Sequence, residues 1–251
     1  MSDSDALIGG FHAVMAAMEK GRAISRVRLA AGRRDGRAEA LRQVAGDSGI
    51  DILDADMAEL DAMLPGVRHQ GCVAECPLVQ PRSESELPAL LAASDRPWVL
   101  ALDQVQDPHN LGACLRSAAA AGVTAVIAPR KRAAGLTAAV RKVAAGATER
   151  VPFVPVTNLA RALGRLQDDG FWVIGLEATA QTCIHGADLP ERLVLVAGGE
   201  ARGMRERTAG QCDASVSIPM AGEVESLNVS VATGVALFEA VRQRELDYRF
   251  K

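Results

Sequence analysis

The spacing of apolar positions changes character near residue 97. Before it, short segments switch between two periods. Phe11 to Met18 repeats its apolar residues at helical spacing, and Arg26-Val27-Arg28-Leu29-Ala30 alternates as a half-buried strand does. Gly36 to Ala45 reads as a second helix, Ile50 to Leu53 as a strand, Met57 to Leu64 as a helix and Gly71 to Ala74 as a strand. This alternation predicts a small α/β domain over residues 1–78. The stretch 79–96 carries Pro81, Ser83, Ser85 and Pro88 among charged residues. It reads as a linker holding a short helix at Leu87 to Ala92.

From Trp98 onward, wholly apolar runs replace the alternation. Trp98 to Leu102, Ala125 to Ile127, Phe171 to Ile174 and Leu193 to Val196 have the character of strands covered on both faces. Helical stretches lie near Leu111 to Ala121, Leu136 to Ala144 and Asn158 to Gln167, and a long one runs from about Asn228 to Arg244. The predicted fold class is α/β: a parallel-sheet domain over residues 97–251 with helices on both faces, behind a smaller α/β domain. In the last helix Val229, Val231, Val235, Leu237, Phe238 and Val241 spread around more than one stripe, so it is expected to bury several faces.

Composition narrows the class. With 49% hydrophobic and 24% charged residues in 251, the chain is ordinary for a globular protein. No apolar run approaches the length of a bilayer span, and the acidic first residues lack the basic region of a secretory signal. Cys72, Cys76, Cys114, Cys183 and Cys212 are odd in number and without CxxC spacing. A disulfide framework or zinc site is therefore not expected, and a reducing cytoplasmic compartment is. A formal charge of −3 excludes a protein that coats nucleic acid, but the charge is segregated. Lys20, Arg22, Arg26, Arg28, Arg33, Arg34, Arg37 and Arg42 share one stretch, which reads equally as a phosphate-binding patch or as a solvated face.

Three motifs carry candidate chemistry. Asp107-Pro108-His109-Asn110-Leu111-Gly112-Ala113-Cys114-Leu115-Arg116 follows a buried strand. Asn110 reads as the N-cap of the next helix, which would hold its amide at the carboxyl end of the sheet, where α/β ligands bind. Arg116 projects from the same helix. Ala197-Gly198-Gly199-Glu200-Ala201-Arg202-Gly203-Met204 permits a tight turn, but it is not the GxGxxG of a dinucleotide fold. In Ile218-Pro219-Met220-Ala221-Gly222-Glu223-Val224-Glu225-Ser226-Leu227-Asn228, a loop with Ser and Asn opens the last helix. Singly these are a capping Asn with a surface Arg, a glycine turn and a helix cap.

In this order and spacing they resemble the three signature motifs of SpoU-type RNA methyltransferases, over residues 98 to 244. The resemblance implies a deep trefoil knot, which periodicity does not reveal. It also implies S-adenosylmethionine as cofactor, with Gly198, Ile218, Met220 and Leu227 lining its pocket. Asn110, Arg116, Glu200, Ser226 and Asn228 would stand around the reacting atoms of a ribose 2′-O-methylation. Ile8-Gly9-Gly10-Phe11-His12-Ala13-Val14 and His69-Gln70-Gly71 resemble the flanks of the L30e-like domain in the subgroup that methylates a guanosine ribose of large-subunit (23S) rRNA. One departure is Gly198-Gly199-Glu200, where the family usually has Gly-Ser-Glu. The implied partners are rRNA, through Arg33, Arg34 and Arg37, and a second copy joined through the knotted domains. No metal is expected, since the four histidines are far apart in sequence and this chemistry needs none. The alternatives are a tRNA or other rRNA methyltransferase, a non-catalytic ribosome-assembly protein of the same fold, and a nicotinamide-dependent oxidoreductase, which the missing fingerprint disfavours.

Overall fold

The computed structural model describes residues 5–19, 21, 23–77, 79–131, 133–199, 203–222 and 226–244. The chain divides into two compact units, Met1–Val79 and Gln80–Lys251.

The first unit runs β1 (Asp5–Gly9), α1 (Phe11–Glu19), β2 (Arg26–Ala30), α2 (Gly36–Asp47), β3 (Ile52–Ala55), α3 (Met57–Met63) and β4 (Cys72–Pro77). Its sheet has the order β1-β4-β2-β3, with β4 antiparallel to both neighbours and β2 parallel to β3. The pleat sends Cys72 and Ala74 to one face, with Phe11, Val14, Ala38 and Leu41 of the first two helices, and Val73 to the other, with Leu60 of α3. The expected strand at Ile50 begins two residues later. Ile50 N–H reaches back to Ala45 O at 2.8 Å and Gly49, at φ +67°, donates to Gly46 O, so Ile50 closes α2 in a Schellman motif. Burial pushes the Cys72 thiol up to about 12, consistent with a core residue.

The second unit runs α4 (Leu87–Ala92), β5 (Trp98–Asp103), α5 (Pro108–Ala121), β6 (Ala125–Pro129), α6 (Ala138–Ala144), β7 (Phe153–Val156), α7 (Leu159–Asp168), β8 (Trp172–Leu176), β9 (Leu193–Gly198), α8 (Glu206–Ala209), β10 (Ala214–Val216) and α9 (Val229–Arg244). Its six strands lie in the order β10-β8-β9-β5-β6-β7, every neighbouring pair parallel. Both faces are covered. Trp98, Leu100 and Leu102 of β5 face α5, α6 and α9, while Val99 and Ala101 face α4 and α7. The stretch read as a linker is therefore partly structural: Leu87 and Leu91 of α4 are buried against the sheet. Among the described residues no helix is long and apolar enough to cross a membrane.

Candidate functional site

The sheet changes direction between β5 and β9. From β5 the chain builds outward through β6 and β7; then β8, β9 and β10 fill the other side, with β9 inserted against β5. The carboxyl ends at such a switch diverge and leave a crevice.

Each wall is shaped by local sequence. β5 ends on the fully buried Asp103, whose Oδ2 accepts from the Arg205 amide at 2.8 Å. Gln104 follows at φ +63°, and its Nε2 donates to Gly203 O at 3.1 Å. Together they fasten the loop after β9 to the end of β5. That loop doubles back: Gly203 N–H donates to Gly199 O at 2.9 Å, and a Cβ on Gly198 would fall on the backbone of Gly203 and Met204. Only glycine fits at 198.

A cavity of about 390 Å³ opens beside Gly198. Its size is that of a small-molecule site. Gly198, Ile218, Met220 and Leu227, the four residues assigned to cofactor binding, all line it, and so does Ser226. Leu176 to Thr179 at the end of β8 add to the wall, with Met204, Val216 and Val229. Sequence reasoning did not single out Glu177, Ala178 or Thr179; their one signal is that they leave the carboxyl end of an apolar parallel strand. Among the described residues no group of His, Cys, Asp and Glu is gathered that could hold a metal ion.

The polar residues divide. Asn228, next in the chain to Leu227, accepts from the Ser230 amide at 2.9 Å and the Ser230 hydroxyl at 2.6 Å, opening α9. With its oxygen so engaged, its Nδ2 donates to Asn110 Oδ1 at 3.0 Å, joining the first motif to the third. Asn110 is not the N-cap. Asp107 takes that place, accepting from His109 N at 2.8 Å, because Pro108 supplies a favoured first helical residue. Asn110 thus sits inside the first turn of α5. Arg116 is exposed on the same helix, about 9 Å further along its axis. Glu200 lies outside the described residues.

In the first unit part of the basic stretch is engaged. Arg28 pairs with Glu59 and Glu75. Arg33 bonds Asp35 Oδ2 at 2.6 Å and the Gln70 carbonyl, and lies 4.6 Å from the centre of the Phe11 ring. Arg34 and Arg37 are exposed, whereas Lys20 and Arg22 lie outside the described residues.

Two family models match the chain: the SpoU rRNA Methylase family over residues 97–238, and RNA 2′-O ribose methyltransferase substrate binding over residues 7–82. A 23S rRNA (guanosine-2′-O-)-methyltransferase RlmB from Xanthomonas axonopodis pv. citri is 49% identical over 246 residues, 97% of this chain and 99% of that one. Its namesake from Escherichia coli K12 is 47% identical over 239 residues, 95% and 98% of the two chains. Among solved structures, the SpoU methyltransferase AviRb from Streptomyces viridochromogenes in complex with AdoMet shares the fold, with TM-score 0.72 at 23% identity, covering 96% of this chain and 91% of that one.

Proposed function

Because the chain belongs to the SpoU rRNA methylase family, we propose that it methylates the 2′-hydroxyl of a guanosine ribose in 23S rRNA, with S-adenosylmethionine as donor. The observation that carries this reading is the convergence of Gly198, Ile218, Met220, Ser226 and Leu227 on one cavity, with Asn228 next in the chain and bonded to Asn110.

The cavity suits the donor. Its wall combines apolar side chains (Leu176, Val216, Ile218, Leu227), suited to a planar base, with Gly198, Gly199 and Gly203, which have no side chains to keep a ligand from the backbone. Gly198, Ile218, Met220 and Leu227 would hold it. When bound, it supplies a sulfonium methyl already activated toward nucleophiles, so the protein's task is alignment and charge. The Asn110–Asn228 pair and Ser226 position the ribose. Arg116 serves as a fixed charge that holds the adjacent phosphate and stabilises the developing alkoxide. Glu200 is assigned to orient Arg116 or to contact the target nucleoside.

The first unit, Met1–Val79, is assigned to substrate rRNA, with Arg34 and Arg37 as phosphate contacts. Arg33 joins them in the proposal as the residue that holds their loop. The second unit is assigned to catalysis, with the family's trefoil knot. A homodimer through that unit is supported by α9, where Val231 and Phe238 are 51% and 50% exposed, two turns apart on one face. The cytoplasm, where rRNA is made, is the assigned compartment.

The test is transfer of labelled methyl groups from S-adenosylmethionine to 23S rRNA by the purified protein, with ribose methylation mapped by resistance to alkaline cleavage. One donor-dependent guanosine is expected. Transfer to tRNA with none to 23S rRNA would overturn the substrate.

A further inference from the structure

Gln70 occupies a conformation that its side chain does not favour. His69, Gln70, Gly71 and Cys72 form a turn in which Cys72 N–H donates to His69 O at 3.0 Å. Both central residues have positive φ, +53° at Gln70 and +77° at Gly71. Turns of this sign are built from Gly, Asn and Asp, which tolerate the left-handed region or bond their own backbone there. Glutamine does neither, so its presence asks for another reason.

The turn is braced from several sides. His69 is buried; its Nδ1 accepts from the Gly71 amide at 3.2 Å, which leaves Nε2 to carry the proton and donate to Asp61 Oδ1 at 2.9 Å. Gly71 N–H thereby fixes the ring that fixes the turn. Gly71 O accepts from Ala30 N at 2.8 Å, and a Cβ on Gly71 would come within 2.9 Å of the Ala30 side chain. Arg33, laid against Phe11, holds the Gln70 carbonyl. This framework immobilises the Gln70 backbone, yet the residue itself is exposed, and its side-chain amide bonds to no described residue. Arg34, Arg37 and Arg68 are exposed in the segments that meet at this turn.

We propose that Gln70 reads a base edge of the rRNA, as a specificity-determining residue of the substrate-binding unit. The assignment rests on the reading of this unit as the rRNA-binding part. An amide offers two donors and an acceptor, the complement of a Watson–Crick or Hoogsteen edge, and unpaired loop bases expose those edges. Neighbouring guanidinium groups bind phosphates without regard to sequence; a rigidly mounted neutral amide adds the choice among bases. The bracing explains why the strained conformation is kept: it aims the side chain outward before RNA arrives, so little ordering remains to be done on binding.

The experiment uses the full chain and two RNAs: a 23S rRNA hairpin spanning the methylated guanosine, and a hairpin of equal length with scrambled loop bases. Gln70→Asn keeps an amide and suits the turn but is one methylene shorter; Gln70→Gly suits the turn and has no side chain. Both should weaken the cognate hairpin by about tenfold, the scale of one good base contact. Affinity for the scrambled hairpin, its salt slope, the melting temperature and donor affinity should not fall. Cognate affinity within twofold of wild type in both variants would overturn the assignment. So would equal losses on both RNAs with a lowered melting temperature, which would mark a purely structural turn. A wild type that does not discriminate the hairpins would overturn the rRNA reading of the unit, and this assignment with it.

Discussion

Gly198 is where one missing methyl group decides whether the β9 loop can fold back on itself, since any Cβ there meets the backbone of Gly203 and Met204. Overpacking of this kind costs about 1–3 kcal/mol. Gly198→Ala is expected to weaken S-adenosylmethionine binding by roughly ten- to hundredfold in calorimetry, with the second unit still folded by circular dichroism. Arg116 makes the opposite prediction. It is exposed and lines no part of the cavity. Arg116→Ala should therefore leave donor affinity unchanged and lower turnover by about 10²–10³, the scale of a lost charge contact in the transition state. Arg116→Lys should recover part of this, because lysine keeps the charge without the planar fork. Near-normal turnover in the alanine variant would refute the role. At this scale the sequence was informative only jointly. Ile218 and Leu227 look like core residues until their motif is taken whole. Arg33 also has partners, Phe11 and Gln70, that are remote in the chain, so a run of arginines shows charge but not what already occupies it.

Among the elements, α9 shows how a helix end is held and how that hold depends on pH. Glu239 is buried and accepts from Arg242 Nη2 at 2.7 Å, Gln243 Nε2 at 2.7 Å and His185 Nδ1 at 3.1 Å. Gln243 also bonds Ala187 O and Leu189 N, so the cluster ties α9 to the segment before β9. The Arg242 hydrogen bond, more than the other contacts, lowers the Glu239 carboxyl from 4.5 to about 2. A carboxyl depressed by folding stabilises the native state fully above its unfolded value and loses that contribution as pH falls toward the folded one. Wild type should thus melt above Glu239→Gln at neutral pH, and the gap should close between pH 4.5 and 2. A gap independent of pH would show that the carboxylate is not the source. The elements that periodicity missed are the edge strands β1, β7 and β10 and the four-residue helix α8. β7 contains Pro155, which a ladder accepts only at an edge, and β10 has three residues, too few to display a period. Central strands, buried on both faces, announced themselves as apolar runs.

For the whole molecule, the exposed face of α9 is the test of assembly. Thr233, Ala236, Leu237 and Ala240 are buried within the unit, so Val231 and Phe238 on the other side lack an intramolecular reason to be apolar. Sedimentation should give two chains per particle for wild type and one for Phe238→Glu, with unchanged secondary structure; a two-chain mass in the variant would place the interface elsewhere. The α/β class and the order of most elements could be read from the sequence, but the order of strands in the sheet could not. Nothing in the apolar run Leu193 to Val196 says that it lies between β5 and β8.

That insertion has a consequence during synthesis. Trp98 pairs with Leu193, so the centre of the sheet stays open until the chain has grown almost twice as long as when β5 was made. Until then β5 exposes a bare hydrogen-bonding edge, a hazard for self-association. Contacts so distant in the chain also form slowly, because loop closure must precede them. A nascent chain stalled before Leu193 should therefore be protease-sensitive in its second unit, while the Met1–Val79 unit, whose strands pair only among themselves, is already protected. The part that would recognise RNA is finished long before the part that would modify it, and a cell can present the first without the second.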